Sequence, residues 1–334
     1  MRNIGIVGAG AWGTALACSL HRQGRQVTLW AREAEVVQSI RDKGHNALFL
    51  PELDLTGVAA TNDLSGLAGC QVLLLVVPAQ FLRSVCRTLK PHLRPGLPVV
   101  LCAKGIELAT GRLMSELVEE ELPGARLAVL SGPTFAAEVG RGLPTAFTLA
   151  AADAALAKEL AGSLGSTNFR PYVTDDIIGA EMGGAIKNVL AIACGVVEGR
   201  KLGDNARAAL ITRGLAELVR LAVAKGARPA TCMGLSGLGD LILTASSMQS
   251  RNFSLGVALG QGRSLAEILA ERRSVAEGVD SAQAVAALAE KLGVDMPICQ
   301  AAARLLRGEV SLEETIKGLL ARPFAAELGF QPIP

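Results

Sequence analysis

The feature that most narrows the fold is the run Gly8-Ala9-Gly10-Ala11-Trp12-Gly13. It directly follows a hydrophobic stretch, Asn3–Val7, and directly precedes a helical one, Thr14–Gln23. In a GxGxxG at a strand-to-helix turn, the first glycine permits the tight turn and the second lets the backbone approach a pyrophosphate. The third lets helix and strand pack closely. The phosphates then meet free N–H groups at a helix N-terminus. A GxGxxG alone says little, but this one has the strand before it and the helix after it that the motif requires. The turn from Gly8 to Gly13 is therefore read as the pyrophosphate site of a dinucleotide.

The first half of the chain repeats that strand–helix alternation. Short β-rich runs occur at Asn3–Val7, Gln26–Trp30, Val72–Val77, Val99–Cys102, Arg126–Leu130 and Thr145–Leu149, with helical stretches such as Ala79–Leu89 and Leu113–Glu121 between them. Continuous apolar strands separated by helices predict a parallel sheet covered on both faces, the doubly wound Rossmann-type α/β plan. From about Asp175 the pattern becomes Ala- and Leu-rich with helical periodicity. Ser264 with Glu267 and Ser311 with Glu314 read as capping boxes, and Pro323 as a stop after the last helix. The expected organisation is a dinucleotide-binding domain over residues 1–174 and an all-α domain over 175–334, with chemistry in the cleft between them.

Composition removes several function classes. The 334 residues carry a net charge of +2 and only 3% aromatics, so neither the basic stripe nor the stacking platform of a nucleic-acid binder is present. Seven cysteines, at 18, 70, 86, 102, 194, 232 and 299, are scattered singly. That usage fits a reducing cytoplasm rather than a disulfide framework or zinc site. The three histidines have no ligand-like spacing, so no metal is expected. The Arg2 to Cys18 stretch loosely mimics a secretory signal, but four glycines break it. No run approaches the roughly 18 consecutive apolar residues of a membrane span. A cytoplasmic protein with a small-molecule substrate is expected, and a homodimer is the expected assembly.

Polar residues interrupting small or apolar sequence mark the chemistry. Lys187 sits in Gly183–Cys194, otherwise built of small and aliphatic residues apart from Asn188. Burial lowers a lysine's pKa toward neutrality, which suits proton transfer, and Asn188 can hold a carbonyl or a water. Asp240 and Thr244, four apart, share one helix face, where a carboxylate can orient that lysine or hydrogen-bond a substrate hydroxyl. Ser250-Arg251-Asn252 at a helix start suits a phosphate dianion. Lys104, in Ala103–Glu107, and the loop Ser131–Ala136 complete the set. After the second strand, Arg32 favours NADPH by matching a 2′-phosphate, while the adjacent Glu33 keeps NADH open.

The segments GAGAWGTA, VVPAQFLR, CAKGIE, SGPTFAAEV, AIKNVLAI, GLSGLGDLILT, SRN and SVAEGV, in this order and spacing, resemble bacterial NAD(P)-dependent glycerol-3-phosphate dehydrogenases from residue 3 to about 320. The resemblance implies reversible reduction of dihydroxyacetone phosphate to sn-glycerol 3-phosphate, the entry to phospholipid synthesis. It implies Lys187 as proton donor and acceptor, and Lys104, Gly132, Thr134, Lys187, Asp240, Ser250, Arg251 and Asn252 around the substrate. It also implies Trp12, Arg32, Lys104, Ala136, Arg251, Val275 and Glu277 against the cofactor, beside the glycines and Ala11 of the turn. Ala11 stands where many relatives have serine, and Phe253-Ser254 follows Asn252 where basic or aromatic residues are frequent. In this reading Lys104 and Asn188 stabilise charge on the reacting oxygen. A β-hydroxyacid or ketopantoate-type reductase shares the plan and a catalytic lysine, but the SRN and SGPTFAAE segments argue against it. A non-catalytic dinucleotide sensor would need no Lys187–Asp240–Arg251 set.

Overall fold

The computed structural model describes residues 1–271 and 277–323. Eight strands form one sheet: β1 (Asn3–Val7), β2 (Gln26–Trp30), β3 (Ala59–Thr61), β4 (Val72–Leu75), β5 (Pro98–Leu101), β6 (Arg126–Ser131), β7 (Thr145–Ala150) and β8 (Phe169–Thr174). Six helices lie among them: α1 (Ala11–Arg22), α2 (Ala34–Lys43), α3 (Leu82–Leu89), α4 (Met114–Glu121), α5 (Ala136–Arg141) and α6 (Ala154–Leu164). After Thr174 every described element is helical. These are α7 (Ile177–Gly199), α8 (Asp204–Ala224), α9 (Pro229–Cys232), α10 (Asp240–Ala245), α11 (Arg251–Gly260), α12 (Leu265–Ala270), α13 (Glu277–Leu292), α14 (Pro297–Leu306) and α15 (Leu312–Leu320). Both expected capping boxes form, at Ser264 and Ser311.

The strand order is β3-β2-β1-β4-β5-β6-β7-β8. Alternate residues feed opposite faces: Val72 and Leu74 join one buried cluster, Leu73 and Leu75 another. Helices cover both clusters, as a doubly wound sheet requires. One expectation needs correcting. The sheet is not wholly parallel, because β7 runs antiparallel to β6. The link between them carries only α5, whose 6 residues rise about 9 Å, while the 6 residues of β6 span about 20 Å. A helix that short does not carry the chain back to the starting edge, so β7 enters from the end where β6 left. β3 and β8, which the sequence pattern did not reveal, are the two edge strands. β3 has three residues, and much of β8 is open to solvent, so neither shows an apolar run.

Helix α7 is the spine of the helical part. Apart from Glu181, Lys187, Asn188 and Glu198, its sequence is small and apolar on every side, which is the pattern of a core helix. It is also the one described helix long and apolar enough to cross a membrane, but 83% of that stretch is buried inside the fold. Asp176 caps its start, accepting from Gly179 N at 2.9 Å. The buried Glu181 ties it to the first turn of α4, accepting from Ser115 N at 2.8 Å and from the Ser115 hydroxyl. Glu217 on α8 does the same for α14, accepting from Ile298 N and Cys299 N at 2.7 and 3.0 Å. Carboxylates at helix N-termini complement the orphan N–H groups there.

Burial raises the Glu181 carboxyl from 4.5 to about 7, with the Ser115 bonds opposing. A folded-state pKa above the unfolded one means that the stability it brings is full below about 4.5 and is lost as pH rises through about 7. Glu181→Gln keeps an acceptor for Ser115 N and removes the buried charge. Denaturant melts should therefore show equal stability near pH 4.5 and a gain for the variant on the order of 3 kcal/mol at pH 8. A parallel pH dependence for both proteins would rule out this role.

Candidate active site

The C-terminal ends of the parallel strands converge with α7, α10 and α11, and the predicted polar residues collect there. Lys104 follows β5, Gly132 and Thr134 follow β6, and Lys187 and Asn188 lie midway along α7. A wide π-turn, Leu235–Gly239, leads into α10, whose first residue is Asp240. At the centre, one Asp240 oxygen accepts from Lys187 Nζ at 2.5 Å and the other from Lys104 Nζ at 2.7 Å. Thr244, one turn on, accepts from Lys187 Nζ at 3.0 Å. Lys104 Nζ also donates to Gly132 O at 3.3 Å, and the Thr134 hydroxyl to the same carbonyl at 3.2 Å.

Two lysines on one carboxylate leave the cluster with a net positive charge. Asp240 is almost fully buried and Lys187 nearly so, while Lys104 keeps more access to solvent. Burial pulls the Lys187 ammonium down from 10.5 to about 8; Asp240 opposes this and the Lys104 charge adds to it. Burial alone would raise Asp240, but Lys104 and Lys187 outweigh it and hold the carboxyl below its usual range. The group so poised is an ammonium that binds its proton less tightly than a free lysine while remaining hydrogen-bonded to Asp240 and Thr244.

Close packing sets these positions. A methyl on Gly184 would come within 3.1 Å of the Lys104 stem, so the lysine lies directly along α7. A methyl on Gly195 would reach 2.1 Å from Phe253 O, and one on Gly256 2.0 Å from Ile192 O. Gly199 and Gly260 repeat that contact one turn later, so α7 and α11 run side by side with their backbones touching. The seam brings the start of α11 beside the middle of α7. There Ser250 caps α11, accepting from Phe253 N at 3.2 Å, and Arg251 is exposed. Asn252 is buried and accepts from Gly278 N at 3.0 Å. A methyl on Gly278 would meet both Asn252 Oδ1 and Asn188 O, so α13 joins the same junction. Glu277, at its start, is raised by burial, while Arg251, Lys104 and Lys187 pull the other way. Those couplings put it within electrostatic reach of the cluster.

The dinucleotide turn has the geometry its sequence predicts. Gly8 adopts φ +116°, a conformation that favours glycine, and a methyl on Gly13 would collide with Gly8 O at 1.8 Å. A methyl on Gly10 would meet nothing within 4 Å, so a cradle stays open there. Gly10 caps α1 without a side chain, leaving the N–H groups of the first turn, including Ala11, to an anion. The Trp12 ring packs edge-on to Phe169, centroids 6.5 Å apart. Arg32 is exposed and bonded to Glu33 at 2.8 Å, and Ala136 opens α5. Val275 lies outside the described residues.

Sequence reasoning missed the clamp on the Lys104 segment. Arg83 makes a two-pronged pair with Glu107, both contacts at 2.8 Å, and a further pair with Glu121. Gln80 donates to Ile106 O at 2.9 Å and accepts from Leu108 N at 3.0 Å. The Arg83 pair holds the Glu107 carboxyl below its usual range. The motifs VVPAQFLR and CAKGIE contained these residues, but pairing across 24 positions has no local signature.

Two family models match the chain: NAD-dependent glycerol-3-phosphate dehydrogenase N-terminus over residues 3–157, and the C-terminus of the same family over residues 176–317. A glycerol-3-phosphate dehydrogenase (NAD(P)+) of Parvibaculum lavamentivorans is 56% identical, over 98% of this chain and 98% of its own length. One from Rhodospirillum rubrum is 59% identical, over 98% and 94%. Among solved structures, glycerol-3-phosphate dehydrogenase from Coxiella burnetii superposes with a TM-score of 0.93 at 40% identity, covering 96% of this chain and 99% of that one.

The glycine seam yields a direct test. Gly256→Ala should push α11 off α7 and cost roughly 3 kcal/mol in urea unfolding, as overpacking a close backbone contact does. A loss under about 0.5 kcal/mol would mean the seam is looser than described.

Proposed function

The chain belongs to the NAD-dependent glycerol-3-phosphate dehydrogenase family, and we propose that it reduces dihydroxyacetone phosphate reversibly to sn-glycerol 3-phosphate with Lys187 as general acid and base. The observation that carries the assignment of roles is the Asp240 carboxylate shared between Lys187 and Lys104. The open cradle at Gly10 and the uncapped start of α1 fit a dinucleotide pyrophosphate. When bound, NADPH or NADH supplies the hydride to the substrate's ketone carbon.

The chain's own residues do the rest. Lys187 gives its proton to the ketone oxygen as that oxygen becomes an alcohol, and afterwards recovers one from water. Asp240 and Thr244 hold the Lys187 amine on its line of approach, which is worth more than its pairwise energy because geometry limits the step. Lys104 and Asn188 oppose the negative charge that builds on the oxygen. Ser250, Arg251 and Asn252, at the start of α11, take the substrate phosphate, with Gly132 and Thr134 along the remaining wall. Binding at that phosphate, away from the reacting carbon, positions the carbonyl. Trp12, Ala136, Arg251, Val275 and Glu277 complete the cofactor side.

The same reading divides the chain into a dinucleotide domain over residues 1–174 and a catalytic helical domain over 175–334. It makes the product a precursor for glycerophospholipids and the enzyme a cytoplasmic homodimer. Seven free, buried cysteines support the reducing compartment. Arg32 favours NADPH: its guanidinium is exposed just after β2, and the adjacent Glu33 that it pairs with can be exchanged for a 2′-phosphate.

Three measurements test these assignments. Lys187→Ala should lose roughly a hundredfold or more of the dihydroxyacetone phosphate-dependent oxidation of NADPH while still binding cofactor; near-normal turnover would refute the proton-transfer role. Reduction needs the protonated lysine, so its rate should fall as pH rises through about 8, and glycerol 3-phosphate oxidation should rise over the same range. Arg32→Ala should erode the preference for NADPH over NADH by about tenfold; an unchanged ratio would remove Arg32 from cofactor choice.

A further inference from the structure

A side chain remote in sequence from the dinucleotide turn holds it in shape. Asn46 lies in the connection between α2 and β3, yet it is completely buried. Its amide uses every bond it can form. Nδ2 donates to Ala9 O at 2.9 Å and to the Thr14 hydroxyl at 2.9 Å. Oδ1 accepts from Leu48 N and Phe49 N, both at 3.1 Å. The Thr14 hydroxyl in turn donates to Ala9 O at 3.3 Å. Two donors therefore draw one carbonyl of the GxGxxG turn inward.

That carbonyl belongs to the same peptide unit as the Gly10 N–H. A trans peptide is planar with its C=O and N–H pointing in opposite directions, and the described residues contain no cis bond. Pulling Ala9 O inward thus aims Gly10 N–H outward, toward the open side of the turn. Gly8 sits at a positive φ against Val76 O, and Gly13 against Gly8 O, so the ends of the turn are set by packing. The Ala9–Gly10 unit between them is not, because glycine lets such a unit rotate at little cost. The glycine that gives a phosphate its approach also leaves the donor free to turn away.

We propose that Asn46, with Thr14, is a positioning residue for the cofactor pyrophosphate, locking the Ala9–Gly10 peptide with its N–H presented to the phosphate oxygens. This rests on the reading that the turn binds a dinucleotide. The gain is preorganisation: the ordering is complete before the ligand arrives.

The test uses ADP-ribose, which carries the pyrophosphate without nicotinamide, titrated calorimetrically against the full-length protein. Asn46→Asp keeps the acceptor for Leu48 N and Phe49 N but can no longer donate to Ala9 O, so it separates turn from loop. Its Kd for ADP-ribose should rise about tenfold, and the cofactor KM with it, while kcat stays within about twofold. Thr14→Val should show a smaller loss, about threefold, and Thr14→Ser should restore wild-type affinity. A folded Asn46→Asp protein with wild-type affinity overturns the proposal. If that variant does not fold, the threonine pair decides, and wild-type affinity in Thr14→Val overturns it. Wild-type protein that fails to bind ADP-ribose at all would instead remove the dinucleotide reading beneath it.

Discussion

The Asp240 carboxylate, shut away from water between two ammonium groups, is the interaction on which the site's geometry depends. It joins three separate parts of the chain: the loop after β5 through Lys104, the core helix α7 through Lys187, and α10 through its own backbone. Burying these charges is costly, and removing one partner of such a set leaves an uncompensated charge worth several kcal/mol of instability. The arrangement is nonetheless useful for chemistry. Two cations against one anion leave the cluster positively charged, and burial draws the Lys187 ammonium down to about 8, a range in which a lysine can exchange protons readily.

Holding that carboxylate in place demands rigid surroundings, and the packing supplies them without large side chains. Gly184 lets the Lys104 stem lie on α7, and the paired glycines of α7 and α11 bring two backbones into contact. The Arg83–Glu107 pair and Gln80, on α3 and the turn before it, pin the segment that carries Lys104. Buried carboxylates at Glu181 and Glu217 fasten helix starts to the helical core. Polar groups are thus spent on joints between elements, while apolar side chains fill the volume between joints.

The legible parts of the fold were those with a strong local signal. The interior strands β1, β2, β4, β5 and β6 announced themselves as apolar runs because both their faces are covered. β3 and β8 did not, because an edge strand faces solvent along one side and loses the pattern. The reversal of β7 was hidden for another reason: direction depends on whether a connection is long enough to return across the sheet, and α5 is not. At the site, Lys187, Asp240 and Thr244 stood out as polar residues in apolar helices. Asn46, Gln80 and Arg83 did not, since an ordinary polar residue in a loop or on a helix looks solvated until its distant partner is known.

By itself the amino-acid sequence determined the glycine-rich strand-to-helix turn, the alternation of interior strands with helices, and the chemical types available at the site. These are matters of local sterics and periodicity, readable over a few residues. Tertiary structure alone decided that Lys104 and Lys187 share one carboxylate, that β7 turns back, and that Asn46 orients a peptide far from it in sequence. Each of those depends on distances between segments that are remote along the chain, and such distances are set by how whole elements pack.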